Sequence, residues 1–331
     1  TRDNYMTTGR VYQTVIERER NLGYNGKCVE VVPRVPEEVI RRIDHVAEQS
    51  QADFVLIEIG GTVGEYENIL FLEALRMMRQ RDADSVRSVI VSYLPVPPSI
   101  GEMKTKPTQH AVREANRAGI SPDFLIARSE DEMDEPRREK LARFCAIPIK
   151  HIIGAPNVES IYKIPQSFED QNFGDSLLES FGIDPKPANL DDWNELSDKI
   201  GTLKDEVKIG VIGKYFSSGA FVLSDVYLSV LEAIKHASWA NDRKPVIEWL
   251  NSEDYENDPS KLKDLDNLDG ILIPGGFGTR GIEGKIMAIK YARENKIPYF
   301  GICYGMQCAV IEYGRNILGF DDANTEEMNP E

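Results

Sequence analysis

The chain has 331 residues, 41% of them apolar and 28% charged, with a formal net charge of −16. That length can bury two ordinary cores, and the acidic balance argues against a nucleic-acid surface while allowing local basic clusters that bind phosphate. No apolar run approaches the roughly 20 residues that span a bilayer, and no signal peptide is evident. The four cysteines (Cys28, Cys145, Cys303, Cys308) show neither metal spacing nor a disulfide framework, so a reducing, cytoplasmic setting without membrane or nucleic-acid partners is expected.

In chain order, 29–35 reads as a strand and 36–49 as a helix with proline in its first turn. The run 53-DFVLIEI-59 reads as a continuous apolar strand ending on Gly60 and Gly61. A helix follows over 70–81, a buried strand over 88–94, and further short strands over 123–129 and 147–155, separated by helical stretches. Apolar strands alternating with helices predict parallel sheets covered on both faces. Composition turns polar and proline-bearing after residue 184. The expected organisation is therefore a first domain over 1–184, a linker with a short helix over 185–206, and a second domain over 207–331. The second domain repeats the αβ pattern: strands over 207–213, 246–250, 269–275 and 298–302, and helices over 224–239 and 282–294. The predicted class is α/β, two domains, each a mostly parallel sheet with helices on both faces. Ligands in such sheets gather at the carboxyl ends of strands.

Two strand ends in the second domain carry unusual loops, 274-PGGFGTRG-281 and 299-YFGICYGMQCAV-310. Glycines allow positive φ and let backbone N–H groups face a ligand. Gly301 and Gly305 flank Cys303 as glycines flank a nucleophile on a sharp strand-to-helix turn. The start of the following helix favours thiolate. Alone, Cys303 reads more readily as a buried structural thiol; its pairing with PGGFG reverses that and decides for a nucleophile. Here the sequence resembles the class I glutamine amidotransferases. The resemblance implies Cys303 as the nucleophile, with the N–H groups of Gly276 and Tyr304 as oxyanion donors. It implies Gly276, Tyr304, Gly305, Met306, Gln307 and Glu327 as the glutamine site, although Glu327 reads equally as a solvated helix-end carboxylate. The family usually has leucine where Tyr304 stands, a change that leaves the backbone N–H in place. Its His-x-Glu pair follows the cysteine at a distance, whereas His45, His110, His151 and His236 all precede Cys303.

In the first domain, 58-EIGGTVGEYEN-68 delivers Glu58 onto a glycine turn, where a carboxylate suits Mg²⁺ or merely caps a solvated loop. In 101-GEMKTKPTQHAV-112, Lys104, Thr105, Lys106, Thr108 and Gln109 form a donor array around Pro107. A helix is predicted to start near Gln109, a setting for a triphosphate. Lys140 and Phe144 lie four apart on one predicted helical face, as a phosphate and base contact or as a surface lysine and a core aromatic. With 7-TTGRVYQTVIERER-20 and 159-ESIYKIPQSFEDQ-171, these segments are similar to the cytidine triphosphate synthases over about 7–328. That resemblance implies ATP-dependent amination of UTP to CTP with ammonia from glutamine, and a P-loop-like amidoligase domain joined to a class I glutaminase domain, both truncated. It implies Mg²⁺ at Glu58, UTP or CTP at Lys104 to Gln109, Lys140 and Phe144, CTP at Glu65, Tyr66 and Glu67, and adenine at Pro156, Asn157 and Val158. GTP as activator and a homotetramer of the full-length enzyme come with it. No G-x-x-x-x-G-K-[ST] phosphate loop occurs, so the chain reads as the middle of such an enzyme, inactive alone. The alternatives are a non-catalytic nucleotide-binding or assembly protein derived from the enzyme, or the glutaminase domain of another synthase.

Overall fold

The computed structural model describes residues 2–213, 227–276 and 278–326, with the backbone alone of 217–218 and 221–222. Its chain divides into two compact units, Thr1–Asp191 and Asp192–Glu331.

In the first unit, α1 (Thr8–Arg20) opens on Thr7, whose hydroxyl accepts from the Arg10 N–H at 3.3 Å. It packs with α2 (Val31–Ser50) and α3 (Ile69–Arg81) through Val11, Val15, Val35, Val39 and Ala74. The parallel strands β1 (Val89–Leu94), β2 (Phe124–Ser129) and β3 (Ile152–Pro156) form a sheet in that order, with Val89 beside Phe124 and Leu125 beside Ile152. Helices α4 (Lys106–Arg117) and α5 (Glu135–Cys145) cover it through Val112, Ala115, Leu141 and Cys145 against Ile90, Leu94, Leu125 and Ile152. Two short helices, α6 (Ile164–Glu169) and α7 (Phe173–Ser180), follow, and α8 (Asp191–Thr202) bridges 191 and 192.

Four expectations fail here. The 29–35 strand is instead a loop running into α2, which carries one non-helical residue, Val32 (φ −105, ψ 124). Its β-branched valines mimic a strand, but Pro33 and Pro36 suit the first turns of a helix and cannot donate to a ladder. The run 53–59 joins no ladder among the described residues, and Leu56 stands 93% exposed. An apolar run becomes a strand only where a partner strand accepts its backbone. Strand β1 is not fully buried either, since Val89, Val91 and Tyr93 alternate outward. The 147–155 strand begins only at Ile152, after a single 3-10 turn over Ile149–His151.

In the second unit the parallel sheet runs β7 (Lys244–Asn251), β4 (Glu206–Gly213), β8 (Gly270–Ile273), β9 (Tyr299–Gly301); a two-residue ladder joins β5 (Ser217–Ser218) to β6 (Phe221–Val222). Successive residues face opposite sides of a sheet. Val211 and Leu272 accordingly pack with Ile234 of α9 (Leu228–Ala240), whereas Ile212, Ile271 and Ile273 join Tyr255 of α10 (Ser252–Asn257), Ile282, Ile286 and Ile289 of α11 (Ile282–Asn295), and Tyr304 and Ile311 of α12 (Tyr304–Asn316). Helices thus cover both faces. The predicted 224–239 helix is seen from Leu228; 224–226 lie outside the described residues. The four cysteines are free thiols.

Candidate functional sites

The second unit brings its two glycine loops together at the ends of β8 and β9. Ile273 pairs with Gly301, and the Ile302 N–H donates to the Ile273 carbonyl at 3.0 Å. The next residue, Cys303, holds φ 53, ψ −106, while the Gly305 N–H closes a turn onto the Ile302 carbonyl at 2.9 Å. This is close to a type II′ turn with Cys303 at its first central position, a place that normally takes glycine. Strained backbone of this kind costs about 1–3 kcal/mol and persists only where surrounding contacts hold it. Those contacts are on hand. The Tyr299 hydroxyl donates to the Gly305 carbonyl at 2.6 Å, and a side chain on Gly305 would sit 2.1 Å from the Ile273 carbonyl oxygen. Cys303 is exposed at the head of α12, as a nucleophile must be.

Gly275 lies against it: a Cβ built there would be 3.4 Å from the Cys303 Cβ and 3.8 Å from its Sγ. The Gly275 carbonyl in turn accepts from the Tyr227 hydroxyl at 3.0 Å. Tyr304 is fully buried, so its side chain fills the core, and it is the first residue of α12. Gln307 accepts from the Thr325 hydroxyl at 2.8 Å, and Met306 is exposed. Glu327 lies outside the described residues. The unit's histidine, His236, sits on α9 with Glu232 at 3.9 Å and Trp239 beside its ring.

Sequence reasoning missed Tyr227, Tyr299 and the buried Lys285, whose ammonium lies 5.5 Å from the centre of the Tyr304 ring. All three act through contacts across the fold, which spacing along the chain does not encode. Only the position of Tyr299 beside the predicted turn offered a signal.

In the first unit the 101–105 loop leads directly into α4, which starts at Lys106, three residues before the expected point. Lys104 pairs with Glu102 at 2.7 Å, and Arg137 Nε donates to the Met103 carbonyl at 3.1 Å, tying the loop to α5. The hydrogen bond from Lys104 holds the Glu102 carboxyl below the usual range, helped by the charges of Arg137 and Lys140. Lys104 and Lys140 therefore share one electrostatic neighbourhood. Lys106, Pro107, Lys140 and Phe144 are exposed. The Thr108 hydroxyl is committed inward, to Ser92 at 2.9 Å and the Tyr93 carbonyl at 3.3 Å; the Thr105 hydroxyl accepts from Gln109 at 3.1 Å.

The 60–68 loop closes on itself, with Glu65 accepting from the Thr62 N–H at 3.1 Å and Asn68 donating to the Gly60 and Thr62 carbonyls. Tyr66 and Glu67 project outward. At the end of β3, Arg128 donates to the Ala155 and Pro156 carbonyls and to Asn157, fixing the segment that runs on to Val158. Glu58 is exposed, and among the described residues no three His, Cys, Asp or Glu side chains gather. Mg²⁺ takes one or two carboxylates and completes its shell with phosphate oxygens and water. One exposed carboxylate therefore fits an ion that arrives with a nucleotide rather than a resident one.

Comparison with known proteins covers nearly all of this chain. The family model for the CTP synthase N-terminus matches residues 1–183, and that for class-I glutamine amidotransferase matches 222–330. The CTP synthase of Pyrococcus abyssi is 44% identical over 330 residues, 99% of this chain and 60% of that protein. The CTP synthase of Carboxydothermus hydrogenoformans is 44% identical over 332 residues, 100% of this chain and 61% of that protein. The solved glutaminase domain of Trypanosoma brucei CTPS with bound acivicin is 45% identical, covering 38% of this chain and 47% of that one, with a TM-score of 0.35, too low for the superposition to bear on the fold. The chain thus spans about 60% of the length of the curated relatives it matches.

Proposed function

The chain belongs to the CTP synthase family, and from that premise we propose that it carries the thiol and nucleotide loops of a cytoplasmic, glutamine-dependent CTP synthase of pyrimidine biosynthesis. In this reading the Cys303 sulfur adds to the side-chain amide carbon of glutamine. The carbonyl oxygen becomes an oxyanion facing the Gly276 and Tyr304 N–H groups. The carbon–nitrogen bond then breaks, nitrogen leaves as ammonia with the proton given up by the thiol, and water converts the thioester to glutamate. ATP phosphorylates UTP O4, turning a poor leaving group into a good one, and ammonia displaces the phosphate. Lys104, Lys106 and Lys140 hold the pyrimidine triphosphate, and Glu65 to Glu67 recognise CTP. The 156–158 segment takes adenine. Glu58 would hold Mg²⁺ arriving with a nucleotide, and the ion would supply charge compensation between facing phosphates. GTP activation and a homotetramer complete the proposal for the assembled enzyme.

One observation carries the glutaminase reading: an exposed cysteine at φ 53 beside Gly275, where an added Cβ would stand 3.8 Å from its Sγ. Its test is a glutamine-like electrophile followed by site-resolved mass spectrometry. Cys303 should label ahead of exposed Cys28 and be protected by L-glutamine, while Cys145 and Cys308 stay silent. Burial pushes the Cys145 thiol up to about 11. Equal labelling of Cys28 and Cys303, indifferent to glutamine, would overturn the assignment.

The nucleotide assignment has its own check. Lys104→Ala with Lys106→Ala should weaken UTP binding at least about 10-fold, since charge-assisted bonds contribute about 1.5–3 kcal/mol each. Unchanged UTP affinity by calorimetry would remove the loop from the site.

A further inference from the structure

We propose that the Tyr227 hydroxyl is a positioning group for the oxyanion hole: by holding the Gly275 carbonyl, it aims the Gly276 N–H toward the thiol. This rests on the reading of Cys303 as nucleophile. The peptide bond is planar and trans, so the Gly275 C=O and the Gly276 N–H point in opposite directions from one rigid plate. The Tyr227 bond of 3.0 Å to that carbonyl therefore fixes the N–H as well. The plate borders the site, because a Cβ on Gly275 would lie 3.8 Å from the Cys303 Sγ.

A glycine pair resists rotation of this plate less than any other sequence would. Turned over, the peptide presents a carbonyl oxygen where the oxyanion forms, replacing attraction by repulsion. The phenol that opposes this turn is itself anchored. Tyr227 packs against the Val211, Ile234 and Leu272 cluster of the sheet. Its own backbone sits in the left-handed region at φ 63, ψ 29, as the residue that opens α9, a conformation uncommon for a bulky side chain. Sheet, ring and carbonyl thus form one continuous support ending at the donor.

The test separates two chemistries at one sulfur in the 331-residue chain. Acetylation by p-nitrophenyl acetate forms a sulfur–carbon bond through a tetrahedral oxyanion, expels p-nitrophenolate and releases the thiol proton to buffer. Alkylation by iodoacetamide displaces iodide directly and forms no oxyanion. Rates at Cys303 are read by site-resolved mass spectrometry, with Cys28 as internal reference. Since one oxyanion donor contributes about 10²–10³ in rate, Tyr227→Phe should slow acetylation of Cys303 at least about 10-fold while alkylation stays within about 2-fold. Equal losses in both reactions would show general loosening of the loop and overturn the proposal; so would no loss in either. If wild-type Cys303 acetylates no faster than Cys28, the glutaminase reading itself falls.

Discussion

Replacing Glu38 by glutamine should speed amide exchange across α1 and α2 by about 100-fold near neutral pH. The carboxylate is fully buried, and three guanidinium groups hold it: Arg41 at 2.7 Å, Arg42 at 2.9 Å and Arg18 at 2.8 Å. Burial pushes its pKa up, but the hydrogen bonds from Arg41, Arg42 and Arg18 outweigh that and bring it down from 4.5 to about 2. Because the folded value is depressed, the stabilisation is present above the unfolded pKa and lost as pH falls from about 4.5 toward 2. A shift of this size corresponds to about 3 kcal/mol, hence the factor expected in exchange protection. Removing one member of a buried ion cluster also leaves the others uncompensated. Hydrogen exchange on peptides from 8–20 and 31–50 reads this unit alone, as the three tryptophans (Trp193, Trp239, Trp249) all lie in the other. The gap between wild type and variant should narrow as pH falls below about 4.5 and close only as it reaches about 2. Equal exchange rates at pH 7 would show that the cluster does not stabilise these helices.

The cluster itself was invisible in the sequence, and the reason extends to the whole molecule. Elements whose partners are local, or whose period repeats clearly, were legible. The 70–81 helix is α3, and the strands over 123–129 and 207–213 are β2 and β4 within a residue. The turn at Cys303 could be foreseen because glycine marks positions where backbone must approach backbone. What failed depended on partners. The valines of 29–35 and the apolar run 53–59 have strand composition, but among the described residues no strand lies beside them. Composition records a preference for a pleated surface, not the presence of one. The clamps on the glycine loops failed for the same reason. Tyr227 and Gly275 are 48 residues apart, and nothing in a single sequence links a phenol to one carbonyl at that distance. In the 101–109 segment Lys106 is exposed and Lys104 half-buried, whereas Thr108 serves the core, a split that composition alone does not encode.

Gly305→Ala should be the most damaging single-methyl change near the candidate glutaminase site, lowering the stability of the second unit by at least about 3 kcal/mol, the upper part of the range for overpacking. A Cβ there would stand 2.1 Å from the Ile273 carbonyl oxygen, 2.9 Å from its carbon and 3.1 Å from its Cβ. The first two are backbone, so no side-chain rotation relieves them. Either α12 moves off β8 or the end of β8 gives way, and both loosen the turn at Cys303. Gly9→Ala supplies the contrast, because in α1 its Cβ meets nothing within 4 Å; alanine there should be neutral or stabilise by up to about 1 kcal/mol. Urea unfolding followed by tryptophan fluorescence reports the second unit. Gly305→Ala should shift the midpoint sharply and abolish the preference of electrophiles for Cys303 over Cys28, while Gly9→Ala leaves both unchanged. A Gly305→Ala chain with the wild-type midpoint would mean that α12 does not approach β8 so closely, and the support for a strained Cys303 would have to come from elsewhere.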